Sequence, residues 1–244
     1  MSDQDQLAQA HFVVVGAGGL GCPALLGLSA AGAQRLTIID SDRVEASNLQ
    51  RQVLYAMADV GRPKADAAAW NLRRRTPSLQ VCPQVRSVSP QQADAFVAEL
   101  PAESIVLECT DAPPLKFALN DAGLRHGTPV IIGAALGLHG QCIAVRDGHA
   151  CYRCIYESPP AAEDLPTCAS AGVLGVAVGL AGFLMANLAV ALAHGEPSPE
   201  TTGTLTAFDV SRGSVQSLRP TSRPACPACA AARPTRFPPL QASA

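Results

Sequence analysis

Two short cysteine knuckles, Cys151-Tyr-Arg-Cys154 and Cys226-Pro-Ala-Cys229, place four thiols in a chain of 244 residues. A single CxxC can act as a redox pair. Two of them, in a chain without a thioredoxin-like pattern, point to a closed four-thiolate zinc site with a structural role. The two knuckles lie far apart in the sequence, so the metal would clip the C-terminal segment back onto the body. Cys168, in LPTCASAG, is a different case. It stands between a proline-rich connection and an apolar helix. A thiol at a helix N-terminus has a lowered pKa and is a better nucleophile; on these grounds alone an ordinary cysteine fits equally well. Cys22, Cys82, Cys109 and Cys142 lie on apolar elements or a strand edge and are expected in the core. The histidines show no ligand spacing.

A second constellation begins at GAGGLG, residues 16–21. Its glycines let the chain turn tightly and let backbone N–H groups approach a phosphate, with the positive end of a helix behind them. Asp40, at the end of the next strand, is placed to bind ribose hydroxyls. The loop alone does not separate NAD from ATP, and a ligand-free strand–helix crossover can carry the same glycines. The residues that follow discriminate. Asp42, Asn48, Arg51, Gln52 and Lys64 come close behind the loop in SDRVEASNLQRQ and GRPK. Two cations with amides suit a triphosphate, where charge growing at phosphorus must be neutralised. Asp111, read as the end of another strand on the same sheet edge, can hold Mg²⁺. Taken singly, each of these charges reads as a surface ion pair; together they read as a Mg-ATP site. A nicotinamide oxidoreductase would leave Arg51, Lys64 and the knuckles without a role.

These residues need a frame, and the hydrophobic pattern supplies one. Strands are predicted over 12–16, 36–40, 79–85, 104–111 and 129–135, alternating with helices over 20–32, 64–75, 91–100 and 113–126. Such alternation predicts an α/β fold, a Rossmann-like, mostly parallel sheet with helices on both faces. Residues 41–63 read as irregular. The character changes after 135: a strand over 140–147, a proline-rich connection over 156–170, an apolar helix over 171–193, and a β-hairpin over 204–210 and 214–220 around Ser211-Arg212-Gly213. The whole is expected to be one domain over 1–244, with a nucleotide-binding half (1–135), a second half (136–230) and a loose tail (231–244).

Bulk composition narrows the classes. A net charge of −2 and the absence of any dense basic run speak against a nucleic-acid binder. The run Arg73-Arg74-Arg75 reads as the solvated end of a helix. The first ten residues are polar and lack Lys and Arg, so no signal peptide is expected. Nine cysteines cannot all pair internally, and a reducing cytoplasm turns them toward metal or catalysis. The 171–193 segment is long enough to span a bilayer. Because a shared metal would need the knuckles on either side of it to meet, it reads as a buried core helix, and no membrane is expected.

In order, GAGGLG, IIDSDRVEASNLQRQ, GRPK, CTD, CYRC, TCASAGVLG and CPAC closely resemble the MoeB/ThiF branch of the ubiquitin-activating enzyme superfamily, over roughly residues 12–230. The resemblance implies an adenylyltransferase that uses ATP and Mg²⁺ to activate a small β-grasp sulfur-carrier protein ending in Gly-Gly. The carrier's carboxylate attacks the α-phosphate, and sulfur from a separate donor protein, of rhodanese or cysteine desulfurase type, then displaces AMP to leave a thiocarboxylate. It implies that Gly16, Gly18, Gly19 and Gly21 meet the nucleotide, Gly19 at the phosphates, with Asp40 on the ribose. Asp42, Ser47, Asn48, Leu49, Gln50, Arg51, Gln52, Lys64, Asp111 and Ala112 complete the nucleotide site. Arg51, Lys64 and Asp111 serve catalysis, Cys168 matches a crossover-loop cysteine that links covalently to the carrier in some members, and Cys151, Cys154, Cys226 and Cys229 ligate Zn²⁺. It also implies a homodimer. Two departures stand out. No RYxRQ-like motif of the family's N-terminal arm stands among the residues before the glycine loop, the first arginine here being Arg35, and the usual CTDN reads CTDA, with Ala112 in place of an amide. They leave open a divergent member that activates another peptide, or a carrier-binding scaffold without catalysis.

Overall fold

The computed structural model describes residues 3–160, 172–195 and 201–229. Cys168 and the 231–244 tail lie outside the described residues. β1 (His11–Val15) shows how the sheet is built. Its alternating side chains put Phe12 and Val14 into one apolar core and Val13 and Val15 into another. A strand buried on both faces needs helices on both faces. Parallel to it run β2 (Arg35–Ile39), β3 (Gln80–Gln84), β4 (Ser104–Glu108) and β5 (Val130–Leu136). β6 (His139–Val145), β7 (Leu205–Asp209) and β8 (Ser214–Leu218) then extend the same sheet antiparallel from β5. The strand order is β3-β2-β1-β4-β5-β6-β7-β8. The order reverses between β1 and β4, and a crevice outside the carboxyl ends of the strands is expected at that switch point.

One core is covered by α1 (Asp3–Gln9), α2 (Gly21–Ala31), α3 (Lys64–Arg75) and α7 (Gly175–Ala193); the other by α4 (Ala93–Ala98), α5 (Pro113–His126) and the short α6 (Tyr152–Ile155). α2 ends at Gly32, whose φ of +99° supplies a left-handed C-cap. α5 opens on Pro113 and Pro114, where a missing N–H costs nothing. α7 is long and apolar enough to cross a bilayer, yet its small residues serve a close helix pair. A Cβ at Gly182 would come within 2.4 Å of the Leu20 carbonyl oxygen, and one at Gly27 within 2.8 Å of the Ala186 methyl.

Several expectations shift. β4 ends at Glu108, so Asp111 lies in the bend that follows rather than in the strand. The 91–100 segment divides into a 3₁₀ turn over Pro90–Gln92 and the shorter α4. Cys82 is exposed, not core: β3 is an edge strand whose inner face presents Val81. Cys22, Cys109 and Cys142 are buried as expected. α1 was not anticipated from the polar opening residues; Leu7 carries it into the core.

Candidate nucleotide site and metal centre

At the switch point lies a cleft of about 670 Å³, within the range of small-molecule sites. The glycine loop forms one wall. Gly16 has a φ of +93° and leaves no room for a side chain, since a Cβ would lie 3.0 Å from the Cys109 carbonyl carbon. At Gly21 a Cβ would fall 2.0 Å from the Gly16 carbonyl oxygen. The turn therefore closes only with glycine at both ends, and α2 begins behind it.

Asp40 is built into this loop. One carboxylate oxygen accepts the Ala17 N–H at 2.7 Å and the other the Asp42 N–H at 2.8 Å. Burial pushes its carboxyl up from the usual range, and those two amides pull it back. Unused lone pairs on both oxygens remain for hydroxyl donors. Tyr55 braces the same loop from beneath, donating to the Ala17 carbonyl at 2.8 Å and to the Lys64 carbonyl at 3.1 Å. Burial pushes the neighbouring Cys22 thiol up to about 12, and that thiol also donates to the Ala17 carbonyl.

Lys64 opens α3, almost fully buried, with its ammonium 2.8 Å from the exposed Asp42 carboxylate. Arg51 donates to the Asn48 side-chain carbonyl at 2.7 Å, and the Asn48 amide reaches Glu45 at 3.3 Å. The irregular segment that carries these residues is anchored by buried Asp59. That carboxylate accepts from the Ala56 N–H, Arg62 and the Asn71 amide, the last on α3. Gln52 is 3% exposed and lines the cleft near Gly18, and its Oε1 has no hydrogen-bond partner among the described residues. A buried polar atom left unpaired costs free energy, so it marks a place where a ligand or water donor completes the site.

The cleft thus brings together Gly16, Gly18, Gly19, Asp40, Asp42, Asn48, Arg51, Gln52, Lys64, Asp111 and Ala112. Gly21, Ser47, Leu49 and Gln50 do not line it. Gly21 closes the turn, Ser47 bonds to Glu45, Leu49 packs on the core, and the Gln50 carbonyl abuts Gly175. Sequence reasoning missed a buried ion pair, Glu108–Lys116, whose lysine lines the cleft. The Lys116 ammonium bonds to Glu108, to the Thr110 carbonyl at 2.7 Å and to the Gly133 carbonyl at 2.7 Å. No spacing marks this pair, because a strand and the helix after it meet only in three dimensions. Ile39, Val88 and Leu115 give the cleft an apolar side suited to a base. A second groove, lined by Gln141, Phe208, Asp209 and Arg212, crosses the antiparallel strands and shares Ala134, Ala135 and Leu136 with the first.

On the α4–α5 side the two knuckles meet. The sulfur of Cys151 lies 3.8 Å from that of Cys154, 3.7 Å from that of Cys226 and 3.3 Å from that of Cys229; Cys154 and Cys229 are 3.6 Å apart. All four sulfurs fall within 4.8 Å of one another. A zinc–sulfur bond of ~2.3 Å requires tetrahedral edges of ~3.8 Å, so the thiols fit the ion with little movement. The knuckle is fastened to α5: Asn120 accepts the Tyr152 N–H at 2.9 Å, and Asp121 takes Arg153 at 2.7 Å while the guanidinium covers the Phe117 ring.

The ThiF family model matches residues 1–228. A sulfur carrier protein adenylyltransferase of Thermus thermophilus is 37% identical over 232 residues, covering 93% of this chain and 84% of the relative. The adenylyltransferase and sulfurtransferase MOCS3 of Sus scrofa is 39% identical over 234 residues, 95% of this chain and 50% of its own length. The chain spans about half the length of such two-activity relatives. Among solved structures, E. coli MccB with ATP superposes with a TM-score of 0.81 at 21% identity, covering 93% of this chain and 69% of that one.

Proposed function

The chain belongs to the ThiF family, and from that premise we propose that it adenylates the C-terminal carboxylate of a small β-grasp sulfur-carrier protein ending in Gly-Gly. One observation carries the reading. The glycine loop, Asp40, Arg51, Lys64 and Asp111 converge on one cleft, and that cleft runs into a groove across the antiparallel strands through Ala134–Leu136. A carrier body on the groove would feed a slender tail past small side chains to the nucleotide.

The chemistry follows from charge. ATP lies with its phosphates over the glycine loop and its ribose on Asp40. A carrier carboxylate oxygen attacks the α-phosphorus, the bond to the bridging oxygen breaks, and pyrophosphate leaves with the electron pair. The nucleophile is already an anion, so no general base is needed. Arg51 and Lys64 neutralise the charge that grows on the phosphates, and the cleft holds the reactants in line. Lys64 would trade its Asp42 partner for phosphate. Asp111 is exposed on the rim, where a carboxylate can hold Mg²⁺, which would offset phosphate charge when bound. A persulfide on a separate donor protein of rhodanese or cysteine desulfurase type would then attack the acyl carbon and expel AMP, and a thiol would reduce the resulting acyl disulfide to release the thiocarboxylate. Cys168 is proposed as the residue that can link covalently to the carrier.

Cys151, Cys154, Cys226 and Cys229 would hold Zn²⁺ through four thiolates, and such a site would be structural. A reducing cytoplasm keeps them available. A second copy of the chain covers the outer face of α7 to form a homodimer; Val176 (61% exposed) and Phe183 (50%), seven residues apart on one face, support this. The test incubates the enzyme with Mg-ATP and a Gly-Gly carrier, then weighs the carrier. A gain equal to one adenylyl group, AMP less a water, is expected, and none when the carrier's C-terminus is amidated. An unmodified native carrier across a panel of carriers would reject adenylation.

A further inference from the structure

Adenylation as proposed gives no task to Lys116, which lines the cleft, or to Glu108, buried behind it. Glu108 is fully buried and Lys116 is 4% exposed. Around them the ends of β4 and β5 are apolar, with Leu107, Cys109 and Ile132 all buried. A buried ion pair contributes no more to stability than apolar side chains of the same volume commonly do. What it adds is direction. Each of the three protons of the Lys116 ammonium has an acceptor: the Glu108 carboxylate at the end of β4, the Thr110 carbonyl in the bend, and the Gly133 carbonyl on β5. The other Glu108 oxygen accepts the Thr110 N–H at 3.0 Å and the Thr110 hydroxyl. That hydroxyl in turn accepts the Ala112 N–H at 3.2 Å.

The residues on both sides of Asp111 are therefore tied to one buried pair. The same pair holds Gly133, directly before the Ala134–Leu136 segment where the two grooves meet. Resting on the adenylation reading, we propose that Glu108 and Lys116 are positioning residues. They hold the Thr110–Ala112 bend, and through it Asp111, in register with the nucleotide phosphates and with the path of the carrier tail. A base of this kind lets one rim carboxylate keep a fixed place although it is itself solvent-exposed.

The test uses the full chain in three variants: E108Q/K116M, which removes both charges together; K116R, which keeps the charge and the donors; and T110V, which removes the hydroxyl that links Glu108 to the Ala112 N–H and leaves the ion pair in place. Two readouts are taken. One is calorimetric binding of a non-hydrolysable ATP analogue across a Mg²⁺ titration. The other is carrier-dependent ATP–pyrophosphate exchange, with kcat and KM for ATP separated. For E108Q/K116M the expected result is a kcat lower by ~10- to 100-fold, with KM for ATP within about threefold of the parent. The Mg²⁺ needed for half-maximal tightening of the analogue should rise at least about fivefold, and K116R should recover most of the loss. T110V should shift both readouts the same way by ~3- to 10-fold, and with K116R it decides the matter if the double variant does not fold. Folded variants with parental kcat and parental Mg²⁺ dependence would overturn the proposal. A parent protein that shows no exchange with any carrier refutes adenylation instead, and the Mg²⁺ titration still decides the role of the pair.

Discussion

Removing the metal from the cysteine centre is predicted to cost the fold several kcal/mol, and the size can be worked from the structure. The ion would join Cys151 to Cys226, positions 75 residues apart in sequence. A cross-link that closes a loop of that length withdraws about 15 cal/mol/K of chain entropy from the unfolded state, or about 4.5 kcal/mol at 25 °C. The geometry adds little strain against this, since the four sulfurs already stand at nearly tetrahedral separations. For a chain of this size each kcal/mol moves the melting temperature by about 2–4 °C. Metal-free protein should thus melt about 10 °C or more below the metal-bound form, and Cys226→Ser should do the same without a chelator. The assay is a thermal melt by circular dichroism before and after chelation, with zinc released to a chromogenic dye and counted against protein. Protein purified without stoichiometric metal, or a melting point that chelation does not move, would refute the reasoning.

Three further perturbations bear on the rest of the account. Lys64→Ala and Arg51→Ala should each lower kcat for adenylation by ~10²- to 10³-fold, the scale for losing one donor to developing charge; melting points near the parent's would confirm that charge rather than folding was lost. Tyr55→Phe removes the only hydroxyl that ties the glycine loop to α3 among the described hydrogen bonds and should cost about 1–3 kcal/mol in denaturant unfolding, with weaker nucleotide binding. His11 sits between Ser104 and Thr37, and burial, helped by Arg35, lowers its pKa below 6.5. The unfolded chain then binds more protons than the folded one below pH 6.5, so stability is full above that pH and falls as the pH drops through it; His11→Gln should flatten that part of a stability–pH curve.

What could be read from the sequence was local. The glycine loop, Asp40 and the run through Lys64 sit within one strand–helix–strand unit and its exit loop, where spacing in the chain equals spacing in the fold. The cysteine knuckles were legible for another reason: four thiols in two pairs have few uses together, and the structure brings them to within bonding reach of one ion. Asp111 was placed on the correct edge but in the wrong element, since the apolar run SIVLE stops being strand where Glu108 turns inward to its lysine. That pair was invisible, because nothing in a helix's sequence says that its fourth residue will lie under a strand end. Cys82 was misjudged because edge or centre depends on strand order, which no single strand reveals. The continuity of β6, β7 and β8 with the parallel sheet was hidden likewise: the strands and the hairpin after residue 135 were legible, but only the pairing of β5 with β6 shows that they extend one sheet.

The central claim is that this cleft joins ATP to a carrier carboxylate. Its most direct measurement is the exchange of labelled pyrophosphate into ATP in the presence of a Gly-Gly carrier. The account predicts exchange that requires the carrier's free C-terminal carboxylate and Mg²⁺ and is lost in Lys64→Ala. Folded, zinc-loaded protein that binds ATP yet exchanges no pyrophosphate with any carrier offered would contradict it.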